Sequence, residues 1–218
     1  MSDTFSNRRR ALLGNLLACS GVFAFSRAIA DRGHMVHVHG TMHDGMHADA
    51  PAGVTRREAV YKIPSLTLIR QDGTKVAFPQ EIDDGSPVLL GFIYTSCTSI
   101  CPIFSQVFSE FQKKLGNDLA KTKIVSISID PDYDTPARLL AYAKRFHAAT
   151  QWQHYTGTQQ ASIAMQRAFD VYRGDKMQHP PVTLLRAAPG RPWVRYEGFA
   201  TADMLLREYR GLLGRVRS

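Results

Sequence analysis

The chain is poor in cysteine, with three in 218 residues: Cys19, Cys97 and Cys101. A small exported fold stapled by disulfides carries more pairs at wider spacing, so covalent cross-links do not hold this protein together. It has no internal repeat, no phosphate-binding loop, no hydrolytic triad signature and no zinc-protease motif. Solenoids, nucleotide hydrolases and metalloproteases are thereby set aside. What is present, 44% hydrophobic residues, suffices for a buried core in one domain plus an appendage.

The formal charge of +8 raises nucleic acid as a partner, but the basic residues are scattered apart from Arg8, Arg9 and Arg10. These precede a weakly apolar stretch, Ala11 to Ala30, that closes on Ala28-Ile29-Ala30. A positive start, a modest apolar run and a small-x-small end are the parts of an export signal, and the paired arginines resemble its twin-arginine version. Without residues 1–30 the domain keeps 23 basic and 18 acidic residues, or +5, and the expectation is no nucleic acid. Three fates of this segment fit the sequence: simple cleavage, lipidation at Cys19 after Leu16-Leu17-Ala18, or retention as a membrane anchor. Asn15, Ser20, Ser26 and Arg27 weigh against the anchor, because a spanning helix needs about 20 mostly apolar residues. All three fates deliver the domain outside the cytoplasm, to the periplasm, free or tethered to the inner membrane.

Residues 31–58 read as a flexible arm. Within it, positions 34–47 hold five His and three Met in fourteen residues, with neither helical nor strand period. Imidazoles and thioethers are the donors that hold copper in either oxidation state. His34, His37, His39, Met42, His43, Met46 and His47 are therefore candidate ligands of weak, auxiliary copper sites.

The folded domain is expected over 59–218, with regular structure from near Tyr61. Ser65–Arg70 and Lys75–Phe78, joined by Gln71-Asp72-Gly73-Thr74, read as an N-terminal β-hairpin extension with an Asp-Gly turn. Pro87–Tyr94 and Lys123–Ile129 are near-continuous apolar runs, as expected of strands buried on both faces. Val182–Arg186 and Trp193–Glu197 are two further strands, split by a Pro189-Gly190 turn. Helical periodicity covers Ile103–Leu115, Pro136–Phe146, Gln159–Val171 and Ala202–Leu213; Thr135 is placed to cap the second, with Pro136 at its first position. This alternation predicts an α/β fold, a central mixed sheet flanked by helices.

Cys97 and Cys101 fall where a buried strand gives way to a helix. A thiol there feels the helix dipole and unpaired N–H groups, which stabilise thiolate. Residues four apart share one helical face, with Cβ atoms about 5–6 Å apart. Both sulfurs then reach one metal ion, or close a disulfide after some adjustment. The spacing allows metal binding and redox cycling alike.

The run Tyr94–Pro102, YTSCTSICP, resembles the copper-binding motif of the SCO/SenC family, thioredoxin-fold proteins that deliver copper to cytochrome c oxidase. Ser128-Ile-Asp-Pro-Asp-Tyr-Asp-Thr-Pro136 is similar to that family's second motif, and with Trp152, Thr156-Gly157 and Phe169-Asp170-Val171 the resemblance covers roughly residues 60–215. It implies a thioredoxin-like fold and a copper site of Cys97, Cys101 and His179, the last on a loop before a late strand. Pro181 is a second candidate for that place, facing the thiols as in thioredoxins through a cis peptide bond. His147, at a helix end, and His154, in a short strand, are read as structural. Asp130 and Asp134 are read as ordering a strand-to-helix turn.

The leading expectation is thus a copper metallochaperone, not an enzyme that turns over bonds. Its implied partner is the copper subunit of a terminal oxidase or another copper protein. The alternative is an exported thiol-disulfide oxidoreductase in which Cys97 and Cys101 are the redox-active pair.

Overall fold

The computed structural model describes residues 53–217. The segment read as an export signal and the arm through residue 52, with His34, His37, His39, Met42, His43, Met46 and His47, lie outside the described residues; the last residues read as arm, 53–58, instead run into the first strand.

Strands β1 (Thr55–Ala59), β2 (Thr67–Arg70), β3 (Lys75–Ala77), β4 (Val88–Ile93), β5 (Lys123–Ser128), β6 (Trp152–Thr156), β7 (Val182–Arg186) and β8 (Trp193–Glu197) form one mixed sheet. Its order is β1-β8-β7-β4-β5-β6-β2-β3. The central strand, β4, has all six residues buried. It pairs in parallel with β5 and antiparallel with β7, which is why its sequence reads as one apolar run instead of alternating.

Helices α1 (Phe78–Ile82), α2 (Ile100–Leu115), α3 (Pro136–Arg145), α4 (Gln159–Ala168) and α5 (Ala202–Arg217) complete the fold. Successive β4 residues show that both faces of the sheet are covered. A Cβ on Gly91 would lie 2.9 Å from the Phe108 ring of α2, so glycine is what lets α2 approach. Phe92 faces the other way and packs edge-on against Phe169, just after α4. On the Gly91 side, α2 joins α3 through a Ser105–Tyr142 hydroxyl pair at 2.8 Å and α5 through the Phe111–Tyr209 rings. Among the described residues no helix is long and apolar enough to cross a membrane.

Local chemistry sets the boundaries. Thr135 accepts the Arg138 N–H at 3.3 Å and Pro136 opens α3, as the sequence predicts. The Asp-Gly turn forms, with Asp72 accepting the Thr74 N–H at 2.9 Å and Gly73 at φ 85°.

Several expectations change. The sheet begins before Tyr61: β1 pairs with β8 along its whole length. Four of its five residues are exposed, so it has no apolar alternation to read. The β2–β3 hairpin adds to the main sheet, because β2 also pairs with β6. Pro79 lies in the first turn of α1, which buries Phe78 and Ile82, where the sequence suggested only a strand end. Helix α2 starts three residues earlier than expected, at Ile100, and α4 stops at Ala168. Among the described residues no peptide bond is cis, so Pro181 does not present the cis bond considered for it.

Candidate metal centre

Strand β4 ends at Ile93, and the chain makes a tight turn in which the Cys97 N–H bonds the Tyr94 carbonyl at 3.1 Å. Ser99 caps α2 by position only; its hydroxyl makes no capping bond. The sulfur of Cys97 takes that place, accepting the Cys101 N–H at 3.4 Å and lying 3.8 Å from the Ser99 hydroxyl. Cys97 therefore sits in the turn before the helix and Cys101 in its first turn, not both on one helical face as the spacing suggested. Both remain free thiols, 6% and 2% exposed.

This placement separates the two thiols electrostatically. Burial resists charge on Cys97, but the Cys101 and Ser99 N–H groups, the Cys101 thiol and the Tyr94 hydroxyl outweigh it and lower its pKa to about 7. Burial raises Cys101 well above the ordinary thiol range, reinforced by the neighbouring Cys97 charge. The pair is one ready thiolate beside one held proton.

Asp134 braces the turn from below. It is fully buried and accepts the Thr95 N–H at 3.1 Å, the Thr95 hydroxyl at 2.5 Å and the Ser128 hydroxyl at 2.6 Å. One carboxylate thus ties the end of β5 to the cysteine turn on β4. The sequence reading of Asp134 as merely ordering its own strand-to-helix turn is too narrow; only the β4–β5 pairing reveals the second partner. Asp130 instead bonds Lys176 at 2.6 Å, anchoring the segment that leads to His179.

His179 follows a 3-10 turn, Lys176–Gln178, and precedes β7. Since β4 and β7 are neighbours, this loop lies along the end of β4 that carries the cysteines. His179 is buried, its ring 6.3 Å from that of Phe92. Its Nδ1 has no hydrogen-bond partner. Burial lowers its pKa to about 4, against a backbone hydrogen bond at Phe92 that favours charge, so the ring is neutral and its nitrogen free to ligate. It also lines a cleft of about 270 Å³ with Asp130, Arg173 and Lys176. The structure joins Cys97 to Cys101 but does not gather His179 with them. Among the described residues no three His, Cys, Asp or Glu side chains are grouped closely enough to hold one ion.

His154 and His147 are structural, as expected. His154 is fully buried and stacked on Trp152 at 5.2 Å. His147 adopts φ 54° after α3, and its carbonyl accepts from Gln112 at 2.6 Å. Sequence reasoning missed Tyr94 and Met177, whose hydroxyl and sulfur meet at 3.5 Å. Tyr94 had a signal in its place within the cysteine motif; Met177 had none.

The donor types suit a soft metal ion: two adjacent sulfurs, one already acidic, and, on the separate loop before β7, a buried imidazole nitrogen without a hydrogen-bond partner. Comparison with known proteins points the same way. The sequence profile of the SCO1/SenC family matches residues 55–213. The chain is 33% identical over 104 residues to the SCO1 protein homolog of Bacillus subtilis, 47% of this chain and 53% of that one. It spans about half the length of that curated relative. Among solved structures it resembles BsSco, a Sco family cytochrome c oxidase assembly protein with an identified disulfide switch: TM-score 0.60, 25% identity, 72% of this chain and 95% of that one. It also resembles copper-bound ScoI of Arabidopsis thaliana, with TM-score 0.56 and 25% identity over 70% of this chain and 96% of that one. The fold is therefore thioredoxin-like, as the sequence implied.

Proposed function

The chain belongs to the SCO1/SenC family, and from that premise we propose that it is a copper metallochaperone that delivers copper to the copper centre of a cytochrome c oxidase. The observation that carries this reading is the thiol pair, with the Cys101 N–H 3.4 Å from the Cys97 sulfur at the mouth of a buried strand. The copper bound by the Arabidopsis relative and the oxidase-assembly role of BsSco support it.

In this reading Cys97 binds first, because its thiolate is available near neutral pH. Cys101 follows, losing its proton to solvent as its sulfur engages the ion. His179 supplies nitrogen through its unpartnered Nδ1, which requires the Arg173–Gln178 segment to shift and bring the ring toward the sulfurs. Delivery is ligand exchange and needs no bond-making turnover. The N-terminal segment, read as an export signal, supports a location outside the cytoplasm, in the periplasm or tethered to the inner membrane. The His/Met arm, 34–47, supports auxiliary copper capture ahead of the folded site.

The test is copper stoichiometry of the reduced full chain under competition with a Cu(I) chelator strong enough to strip weak sites. One tight copper is expected per wild-type chain and none in the Cys97→Ser, Cys101→Ser double variant. Equal tight copper in both proteins would sink the reading.

A second reading has its own support. An acidic thiol beside a buried, protonated one is the asymmetry a thiol-disulfide oxidoreductase uses, attacking with Cys97 and resolving with Cys101. The disulfide switch of BsSco is consistent with it. The two activities exclude each other at any moment, since an oxidised pair has no thiolates to offer a metal.

A further inference from the structure

We propose that Met177 is a soft-metal ligand at the mouth of the thiol site, receiving monovalent copper from outside and handing it to Cys97. The proposal rests on the copper reading above and adds to it a residue outside the cysteine and histidine set.

Met177 is 72% exposed, so its thioether contributes little to the core. Its position is nevertheless fixed at several points. Its N–H bonds the Asp175 carboxylate at 2.9 Å, and the adjacent Lys176 is paired with Asp130 at 2.6 Å. Its sulfur accepts the Tyr94 hydroxyl at 3.5 Å. The Tyr94 carbonyl in turn accepts the Cys97 N–H at 3.1 Å, and its hydroxyl is among the groups that hold the Cys97 thiol below its ordinary pKa. One tyrosine thus holds an exposed thioether through its side chain and the turn of a nearly buried thiol through its backbone.

That arrangement answers a problem the site poses. With Cys97 and Cys101 6% and 2% exposed and no group of three His, Cys, Asp or Glu side chains among the described residues, an arriving ion meets no preassembled cage. A neutral thioether selects monovalent over divalent copper and binds weakly enough to release it. In the exchange, Met177 Sδ replaces one donor on the incoming ion as the Tyr94 hydroxyl lets go of the sulfur. The Cys97 thiolate then forms its bond as the carrier's last donor leaves, Cys101 gives its proton to solvent as its own sulfur binds, and the Met177 bond breaks. The metal stays monovalent throughout, and no electron changes hands.

The experiment is stopped-flow transfer of Cu(I) from its bicinchoninate complex to the reduced full chain, followed by the loss of chelator colour. Met177→Leu keeps the size and removes the donor. It is expected to slow uptake roughly tenfold while the final tight copper stays at the wild-type level, and Met177→His, which restores a donor, is expected to recover most of the rate. Wild-type kinetics in Met177→Leu, with copper lost from the Cys97→Ser, Cys101→Ser variant, would overturn the role of Met177 alone. Tight copper persisting in the cysteine variant would overturn the copper reading, and this inference with it.

Discussion

The Cys101 N–H donates to the sulfur of Cys97 across 3.4 Å, so the helix that carries one thiol ionises the other. Reduced, metal-free protein should therefore alkylate at Cys97 with a midpoint near pH 7. The sign follows from the depressed pKa: thiolate is present above the midpoint and lost as pH falls through it. Cys101, pushed upward by burial, should stay unmodified over the same range. Mass spectrometry after brief iodoacetamide pulses at stepped pH measures both sites; equal labelling of the two would refute the asymmetry.

Asp134 joins Thr95 to Ser128 through bonds of 2.5 and 2.6 Å. Asp134→Ala leaves one buried and two half-buried donors without an acceptor and should cost about 3 kcal/mol of stability. Released from its brace, the cysteine turn should also hold copper roughly tenfold less tightly. Urea denaturation of the apo protein reads the first effect and chelator competition the second. Asp134→Asn, which keeps one acceptor for the Thr95 N–H, should fall between alanine and wild type.

His154 lies in the interior, stacked on Trp152 and edge-on to Tyr142 of α3, and neither ring nitrogen has a partner. Burial lowers its pKa from 6.5 to about 3. The unfolded chain thus binds a proton that the folded one refuses, and stability present above the unfolded value drains away as pH falls below it. The slope from this one group approaches about 1.4 kcal/mol per pH unit. Burial of His179 acts in the same direction. His154→Leu, close in size, should flatten the acid limb of a stability–pH curve measured by denaturant titration; an unchanged limb would show that other groups govern it.

His179 separates the two activities proposed for the thiols. His179→Ala should weaken the tight copper by roughly tenfold or more yet leave the rate of exchange with a small disulfide unchanged, since no sulfur is touched. Chelator competition and a thiol-exchange assay on the same preparation decide this. A parallel loss of both would mean that His179 holds the loop rather than the metal.

Much of this protein was legible in its sequence because the relevant forces are local. Six consecutive buried positions of β4, the Thr135-Pro136 start of α3 and the Asp72-Gly73 turn each carry their own chemical signal, and so does a cysteine pair at a strand-to-helix junction. Strand β1 carries none: its residues are mostly exposed, and its place beside β8 depends on a ladder with residues more than a hundred positions away. Asp134 looks from its neighbours like a turn residue; its hold on Thr95 exists only because β4 and β5 run side by side.

By itself, then, the sequence named the candidate thiols and imidazoles and placed the helix starts, since these are identities and spacings along the chain. Which of them meet was left to tertiary structure. Packing put Cys97 outside the helix instead of on its face, kept His179 in a cleft of its own, and set the Met177 sulfur against the Tyr94 hydroxyl 83 residues away. Such contacts arise from strands pairing and loops closing over a shared core, and no local pattern encodes them.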